Sequence, residues 1–481
     1  MAVGAYQHST LQDLVDQLAQ DLGDSSKVFF TTTELQRALV EALRLTNTLT
    51  ARSRYTLNLN CTAGTAWYDL AAMAPTALGS TVTDRTTIEN MQYRLMETVE
   101  PAAGVGMKEQ YTFAQLLRSL QQSRDRFLVE TESTITRRST LATIDPPSGT
   151  LELDESIAKV VRATWTHDNG RTTVLRNSSD EGTMSAVNLD RRLQSGTPRR
   201  WSVIARPQLT IALDPIPIDA HAPSTALRLY TVEVGSTLST TANANAGTVM
   251  GLPDDLSAGA MWDALELTLS KHGLGHDQNR AQFASQLGTL YRSVASQMPT
   301  VLQVAVNGKD VRTGQVAHLD AKNVNWESAN RGIPTRAAIL GDWLGLYPVP
   351  DDIHSVEVTL VAKLTTPALT DYVQVGREYL SGILSWAKQL LLFKVGGAPL
   401  ARAASTAGLL IDQARSFNED RTRSCQYLTE FLGTGLASAP TIPRATPPAD
   451  MSGDLRDDAS TRNERSRNPR YTQYSRPIGG Q

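Results

Sequence analysis

Two histidines, His272 and His276, stand four residues apart, the spacing at which one helix face can offer two imidazoles to zinc. Gly273 and Gly275 lie between them and no cysteine is near. Glycines at that density disfavour a helix, so a polar loop is expected. Two acidic pairs, Asp254-Asp255 and Asp351-Asp352, carry the residue type for acid–base or metal work. Both fall where turns or helix starts are expected, and acids favour a helix N-terminus through its dipole alone. Gly104-Val-Gly106 lacks the third glycine and the preceding strand of a dinucleotide loop. No Gly-x-Ser-x-Gly elbow, phosphate loop or His-Glu-x-x-His motif is present. Cys61 and Cys425 fit small core or surface residues, and Trp201, Trp326 and Trp343 fit β-core fillers. No catalytic residue, metal site or cofactor is expected.

The sharpest signal is at the C-terminal end. From Ala437 the chain is rich in proline (Pro440, Pro443, Pro447, Pro448) and poor in apolar residues. Such a segment cannot bury enough surface to offset its own ordering entropy. Its last part carries Arg462, Arg465, Arg467, Arg470 and Arg476, with Tyr471 and Tyr474 among them and Glu464 as counter-charge. It is either a solvated terminus or an arm that orders on an acidic partner, protein or phosphate. These seven residues are the candidate partner-binding set. Five arginines and two tyrosines do not support base readout.

The elements that would present such an arm follow from composition and periodicity. The chain has 481 residues and a net charge of −3. That length suits two to four domains, and that charge does not suit a protein that wraps nucleic acid. Two cysteines are few for a secreted chain, which points to a reducing compartment. The N-terminus lacks the pattern of a signal peptide. No run of about 18 apolar residues occurs, so no membrane span is expected.

Leu11, Leu14, Val15, Leu18 and Leu22 share one helical face behind the potential cap Thr10. Thr31 and Glu34 form a capping box for a second helix to Leu49. The period then changes to two: Arg54 to Asn60 alternates, Ala63-Gly-Thr65 turns and Trp67 to Leu70 returns, predicting a β-hairpin. The same order recurs as a helix over Thr112 to Phe127, then Arg137 to Ile144, a Pro146-Pro-Ser-Gly149 turn and Thr150 to Leu153. Ser257 to Lys271 and Asn279 to Met298 predict a second helical pair. Tyr379 to Lys394 predicts a long amphipathic helix, with another behind Pro399.

One unit occurs twice. Asp342-Trp-Leu-Gly-Leu-Tyr-Pro-Val-Pro350 is a strand with a Pro-x-Pro corner, followed by an alternating strand from Ser355 to Lys363. Gln208-Leu-Thr-Ile-Ala-Leu-Asp-Pro-Ile-Pro217 and Ala226 to Val234 repeat it. Ser195-Gly-Thr-Pro198 and Arg331-Gly-Ile-Pro334 precede the two corners. Apolar runs at Ile157 to Trp165 and Val301 to Val306 precede those. Four features in one order predict an internal duplication.

The fold class expected is α+β: a helical bundle from N- and C-terminal helices, two related β modules inserted in it, and an extended C-terminal arm. The expected divisions are a helical pair over 1–50, a first β module with inserted helices over 51–250 and a second helical pair over 251–300. A second β module over 301–368 follows, then C-terminal helices over 369–435 packing on the N-terminal ones, and the arm over 436–481.

The pattern Phe29-Phe-Thr-Thr-Thr-Glu-Leu35, Arg52-Ser-Arg-Tyr55, Ala63-Gly-Thr-Ala-Trp-Tyr-Asp-Leu70, Gly332-Ile-Pro334, Leu346-Tyr-Pro-Val-Pro350, strand, helix pair resembles the head-to-tail adaptors of tailed bacteriophages, of the neck or tail-tubular-protein-A type. The resemblance spans roughly residues 10 to 435. It implies a non-enzymatic virion protein made in the host cytoplasm and placed at the neck. It further implies a homo-oligomeric ring, commonly twelvefold, between the portal protein and a downstream tail or nozzle protein. Such a ring would pass double-stranded DNA without reading its sequence, serve genome ejection and touch no membrane. The alternatives are another phage tail, collar or baseplate component, or a non-viral β-rich binding module.

Overall fold

A computed structural model describes residues 8–95, 111–138, 149–178, 181–187, 194–205, 208–217, 227–240, 247–271, 277–297, 300–401, 409–411 and 413–414. The arm, Gly104-Val-Gly106, His272, His276 and Cys425 lie outside them, as does most of the helix expected behind Pro399.

In chain order the elements are α1 (Leu11–Asp21), α2 (Thr32–Thr50), β1 (Arg54–Asn60), β2 (Trp67–Asp69), α3 (Leu70–Met73), α4 (Pro75–Leu78), α5 (Asp84–Leu95) and α6 (Phe113–Thr131). Then come β3 (Thr136–Arg138), β4 (Thr150–Glu152), β5 (Ile157–Thr166), β6 (Thr172–Asn177), α7 (Glu181–Val187), β7 (Arg200–Ala205), β8 (Thr210–Asp214) and β9 (Leu227–Glu233). The remainder are α8 (Ser257–Leu269), α9 (Gln278–Gln297), β10 (Val301–Val306), β11 (Lys309–Gln315), α10 (Val316–Lys322), β12 (Arg336–Leu340), β13 (Trp343–Tyr347), β14 (Ser355–Val361) and α11 (Arg377–Val395).

Helix starts follow their sequence signals. Thr10, Thr31 and Thr112 each accept from the backbone three residues on, and Asp13, Glu34 and Gln115 reach back to close three capping boxes. The apolar stripes of α1, α2, α5, α6, α8, α9 and α11 meet in one core around Leu39, Phe127, Trp262, Tyr291 and Trp386. α5 has no counterpart among the elements expected from sequence. Its sequence is mostly polar: Ile88, Met91 and Leu95 are its apolar core residues, and buried Arg94 ties it in through Glu41 and the face of Trp262.

Among the described residues, the strands of the two predicted hairpins pair elsewhere. β1 pairs with β14 and β2 with β13, at opposite edges of one seven-stranded sheet ordered β1-β14-β10-β11-β12-β13-β2. β3 pairs with β9 and β4 with β8, at opposite edges of a second, ordered β3-β9-β5-β6-β7-β8-β4. The expected boundary at residue 51 therefore places Arg54–Asp69 in the wrong module: these strands complete the sheet of residues 301–361. The physical reason is that a strand with half its surface apolar is satisfied by any partner of the right period. Local sequence does not name that partner.

Strand for strand the two sheets match. In both, the third strand in the order carries a register shift, at Val301/Gln303 in β10 and at Ile157/Lys159 and Val160/Arg162 in β5. In both, a parallel pair (β11–β12, β6–β7) is bridged by a short helix (α10, α7). The Gly-x-Pro segments also superpose in role: Gly196 N donates to Ile216 O at 2.8 Å and Gly332 N to Val349 O at 3.0 Å. Both corners hold a cis peptide, Asp214-Pro215 and Tyr347-Pro348. The α+β class with two related β modules is thus what the chain adopts.

The duplication is nested. One module, β1, β2 and β10–β14, is interrupted after β2 by α5, the whole other module and α9. Each module is led into by one helix and left by another, and the two pack together: α2 with α11 and α6 with α8. Both leading helices end on a left-handed residue, Ala51 at φ 52° and Glu132 at φ 52°.

Candidate functional site

The acidic pair Asp254-Asp255 sits just ahead of α8 and is buried. Asp254 accepts from Thr81 N at 2.6 Å, Thr81 Oγ1 at 2.5 Å and Val82 N at 3.0 Å. Asp255 accepts from Asn47 Nδ2 at 2.7 Å and Leu364 N at 3.1 Å. These two carboxylates therefore fasten three chain crossings: the end of α2, the path from α4 into α5, and the exit from β14. Burial pushes the Asp255 carboxyl up to about 6, against the pull of Asn47 and Arg44. This is a waist, not a reaction centre. Asp351 and Asp352 are surface turn residues: Asp351 Oδ1 lies 2.8 Å from His354 Nε2, and Asp352 Oδ1 accepts from Ile353 N at 2.8 Å. Among the described residues no three metal-ligating side chains converge. Cys61 is buried, where desolvation raises its thiol pKa.

The densest polar constellation is one the sequence does not single out. Arg162 on β5 is 5% exposed. Its Nε and Nη2 donate to Asp320 Oδ2 and Oδ1 at 2.7 and 2.8 Å. Its Nη1 lies 2.6 Å from Glu327 Oε1. Three rings surround the guanidinium, with centroids at 5.4 Å (Trp67), 5.1 Å (Tyr230) and 5.8 Å (Trp326). Trp326 Nε1 in turn donates to Asp320 Oδ1 at 2.7 Å. Arg162 and Tyr230 belong to the inserted module; Asp320, Trp326, Glu327 and Trp67 belong to the interrupted one.

Beside this cluster the modules share backbone bonds. Val174 N donates to Val324 O at 2.8 Å and Thr172 N to Ser328 Oγ at 2.8 Å. Trp343 Nε1 donates to Ile135 O at 3.0 Å. An apolar set of Trp67, Ile135, Tyr230, Trp326 and Leu340 closes the joint. Of the tryptophans expected to fill β cores, Trp201 does so inside the inserted module. Trp326 and Trp343 pack between modules instead. A buried arginine with two carboxylates is costly to desolvate and strongly held once assembled, so the arrangement fixes geometry rather than binding a small ligand. A recess among the described residues, between Glu34, Tyr93, Arg94 and Lys394, has room for about one water molecule.

The fold and this joint define a rigid two-module scaffold. Residues 110–306 match the family described as SU10 adaptor protein, a stretch that runs from α6 through the inserted module to β10. The match supports a phage adaptor-type structural protein and covers less than half of the chain. No curated protein matches at a significant level. No helix among the described residues is long and apolar enough to cross a membrane.

Proposed function

We propose that this chain is a head-to-tail adaptor of a tailed phage. In this reading it forms a homo-oligomeric ring, of about twelve subunits as in the resembling family, below the portal protein. It contacts a tail or nozzle protein on its other side and lines a path for double-stranded DNA at ejection. The observation that carries the reading is the SU10 adaptor match, because it takes in one whole module with its packed helices. Three features support it. The modules are joined through Arg162 to Asp320 and Glu327, as a part under mechanical strain requires. The helical pairs offer side surfaces for neighbours. The net charge of −3 leaves no broad attraction that would arrest sliding DNA.

In the same reading the arm, with Arg462, Arg465, Arg467, Arg470, Tyr471, Tyr474 and Arg476, orders only on its partners in the assembled neck, its basic side chains toward acidic surface there. Multivalency then makes weak single arms sufficient. The protein has no catalytic role and resides at the virion neck after synthesis in the host cytoplasm. Electron microscopy of the purified chain with its portal tests this. Twelvefold density stacked on the portal is the expected result. Threefold or sixfold particles at the distal tail would favour a baseplate or tail-tube part, and a persistent monomer would favour a non-viral binding module.

A further inference from the structure

β1 is an open sheet edge. It pairs with β14 over seven consecutive residues, Arg54 to Asn60, with no register shift. Cys61 N donates to His354 O, and Ala362 N donates to Ser53 O. By antiparallel alternation, the odd-numbered residues between them bond to β14. The N–H and C=O of Thr56, Asn58 and Asn60 therefore point away from the sheet. No described residue pairs with them, and all three are exposed. The other sheet edges, β2, β3 and β4, are three residues each. Proteins blunt a long edge with proline, a bulge or a covering element; among the described residues β1 has none of these.

We propose that β1 accepts an added strand, and that its occupant is the segment Arg470–Arg476 of a neighbouring copy. Arg470-Tyr-Thr-Gln-Tyr-Ser-Arg476 is seven residues long, as β1 is, and lies between Pro469 and Pro477, which stop a strand on both sides. It is rich in strand-forming Tyr and Thr, and it opens with the same Arg-Tyr-Thr as β1 itself. From Ala414 to Arg470 there are 470 − 414 − 1 = 55 intervening residues. A coil of that length spans roughly 40 Å, and an extended one about 180 Å, enough to reach an adjacent subunit. Main-chain bonds then supply affinity and the tyrosines choose the register. Because edge and strand are different surfaces, the contact runs head to tail, the kind of interface from which a ring is built when the rotation closes. The choice of a neighbouring copy over the same chain rests on the adaptor reading above.

Hydrogen exchange on the full-length chain tests this with two variants. Asn58→Pro removes one outward donor while leaving the bonds to β14, and Gln473→Pro breaks the added strand in a segment outside the described fold. In the assembled wild type, residues 470–476 and the edge of β1 are expected to exchange about tenfold or more slowly than in either variant. Mixing the two variants is expected to restore protection, since one still donates the strand and the other still offers the edge. An unchanged thermal midpoint shows that Asn58→Pro folds, and Gln473→Pro carries the test if it does not. Free exchange of 470–476 in assembled wild type, or protection that survives Gln473→Pro, would overturn the proposal. Failure of the mixture to regain protection would overturn it too, since the strand would then belong to its own chain. Protection in particles that microscopy shows are not rings upholds the strand docking and counts against the adaptor reading alone.

Discussion

Arg162 and Asp320 meet through two hydrogen bonds of 2.7 and 2.8 Å across 158 positions of sequence, one residue from each β module. Removing one partner leaves the other as an uncompensated buried charge. Asp320→Ala is expected to cost about 3–5 kcal/mol, and Arg162→Met at least as much, because it leaves both Asp320 and Glu327 without their shared counter-charge. Urea unfolding followed by tryptophan fluorescence checks both. An Asp320→Ala chain as stable as wild type would show the joint to be incidental.

Gly345 on β13 lies under the indoles of the same joint. A Cβ there would fall 2.8 Å from Trp326 and 3.2 Å from Trp67. Gly345→Ala is expected to destabilise by about 1–3 kcal/mol through overpacking. It should also shift the tryptophan emission, because two rings must move. Thermal melting and an emission spectrum on one sample read the two effects together.

The waist responds to pH. Asp255 has a folded pKa of about 6 against an ordinary 3.8, so the folded state holds its proton more tightly than the unfolded state. Stability from this group is full below pH 4 and is lost as pH rises through 6, a swing of about 3 kcal/mol. Asp255→Asn keeps an amide oxygen for Asn47 or Leu364 and removes the titration. Its stability relative to wild type is expected to improve steadily between pH 4 and 6.5. A difference that stays constant across that range would exclude the buried carboxyl as the source.

Deleting residues 437–481 is expected to leave the thermal midpoint of the remaining chain unchanged while weakening its assembly on the portal ring at least tenfold. Sedimentation of the mixed proteins measures the second quantity and calorimetry the first. Assembly at wild-type strength by the shortened chain would remove the arm from the interface.

The helices and most strand positions were legible because their signals are local. Thr31 with Glu34 caps α2 whatever surrounds it, and Val356, Val358 and Leu360 face inward by period alone. The duplication was legible for the same reason: Pro215-x-Pro217 and Pro348-x-Pro350 mark one corner made twice. The waist role of Asp254 and Asp255 was half legible, as acids ahead of a helix, but not their bonds to Thr81 and Leu364. α5 escaped because its few apolar residues matter only beside a core built by others.

By itself, then, the sequence determined the capped and apolar-striped long helices, many of the strands, and that one module occurs twice, since backbone preference and side-chain period act over a few residues. Only tertiary structure decided that the modules are nested, that Arg54–Asn60 closes a sheet begun at residue 301, and that Arg162 meets Asp320 among Trp67, Tyr230 and Trp326. Those outcomes depend on burial shared between distant segments, and an apolar strand face accepts many partners until the whole core selects one.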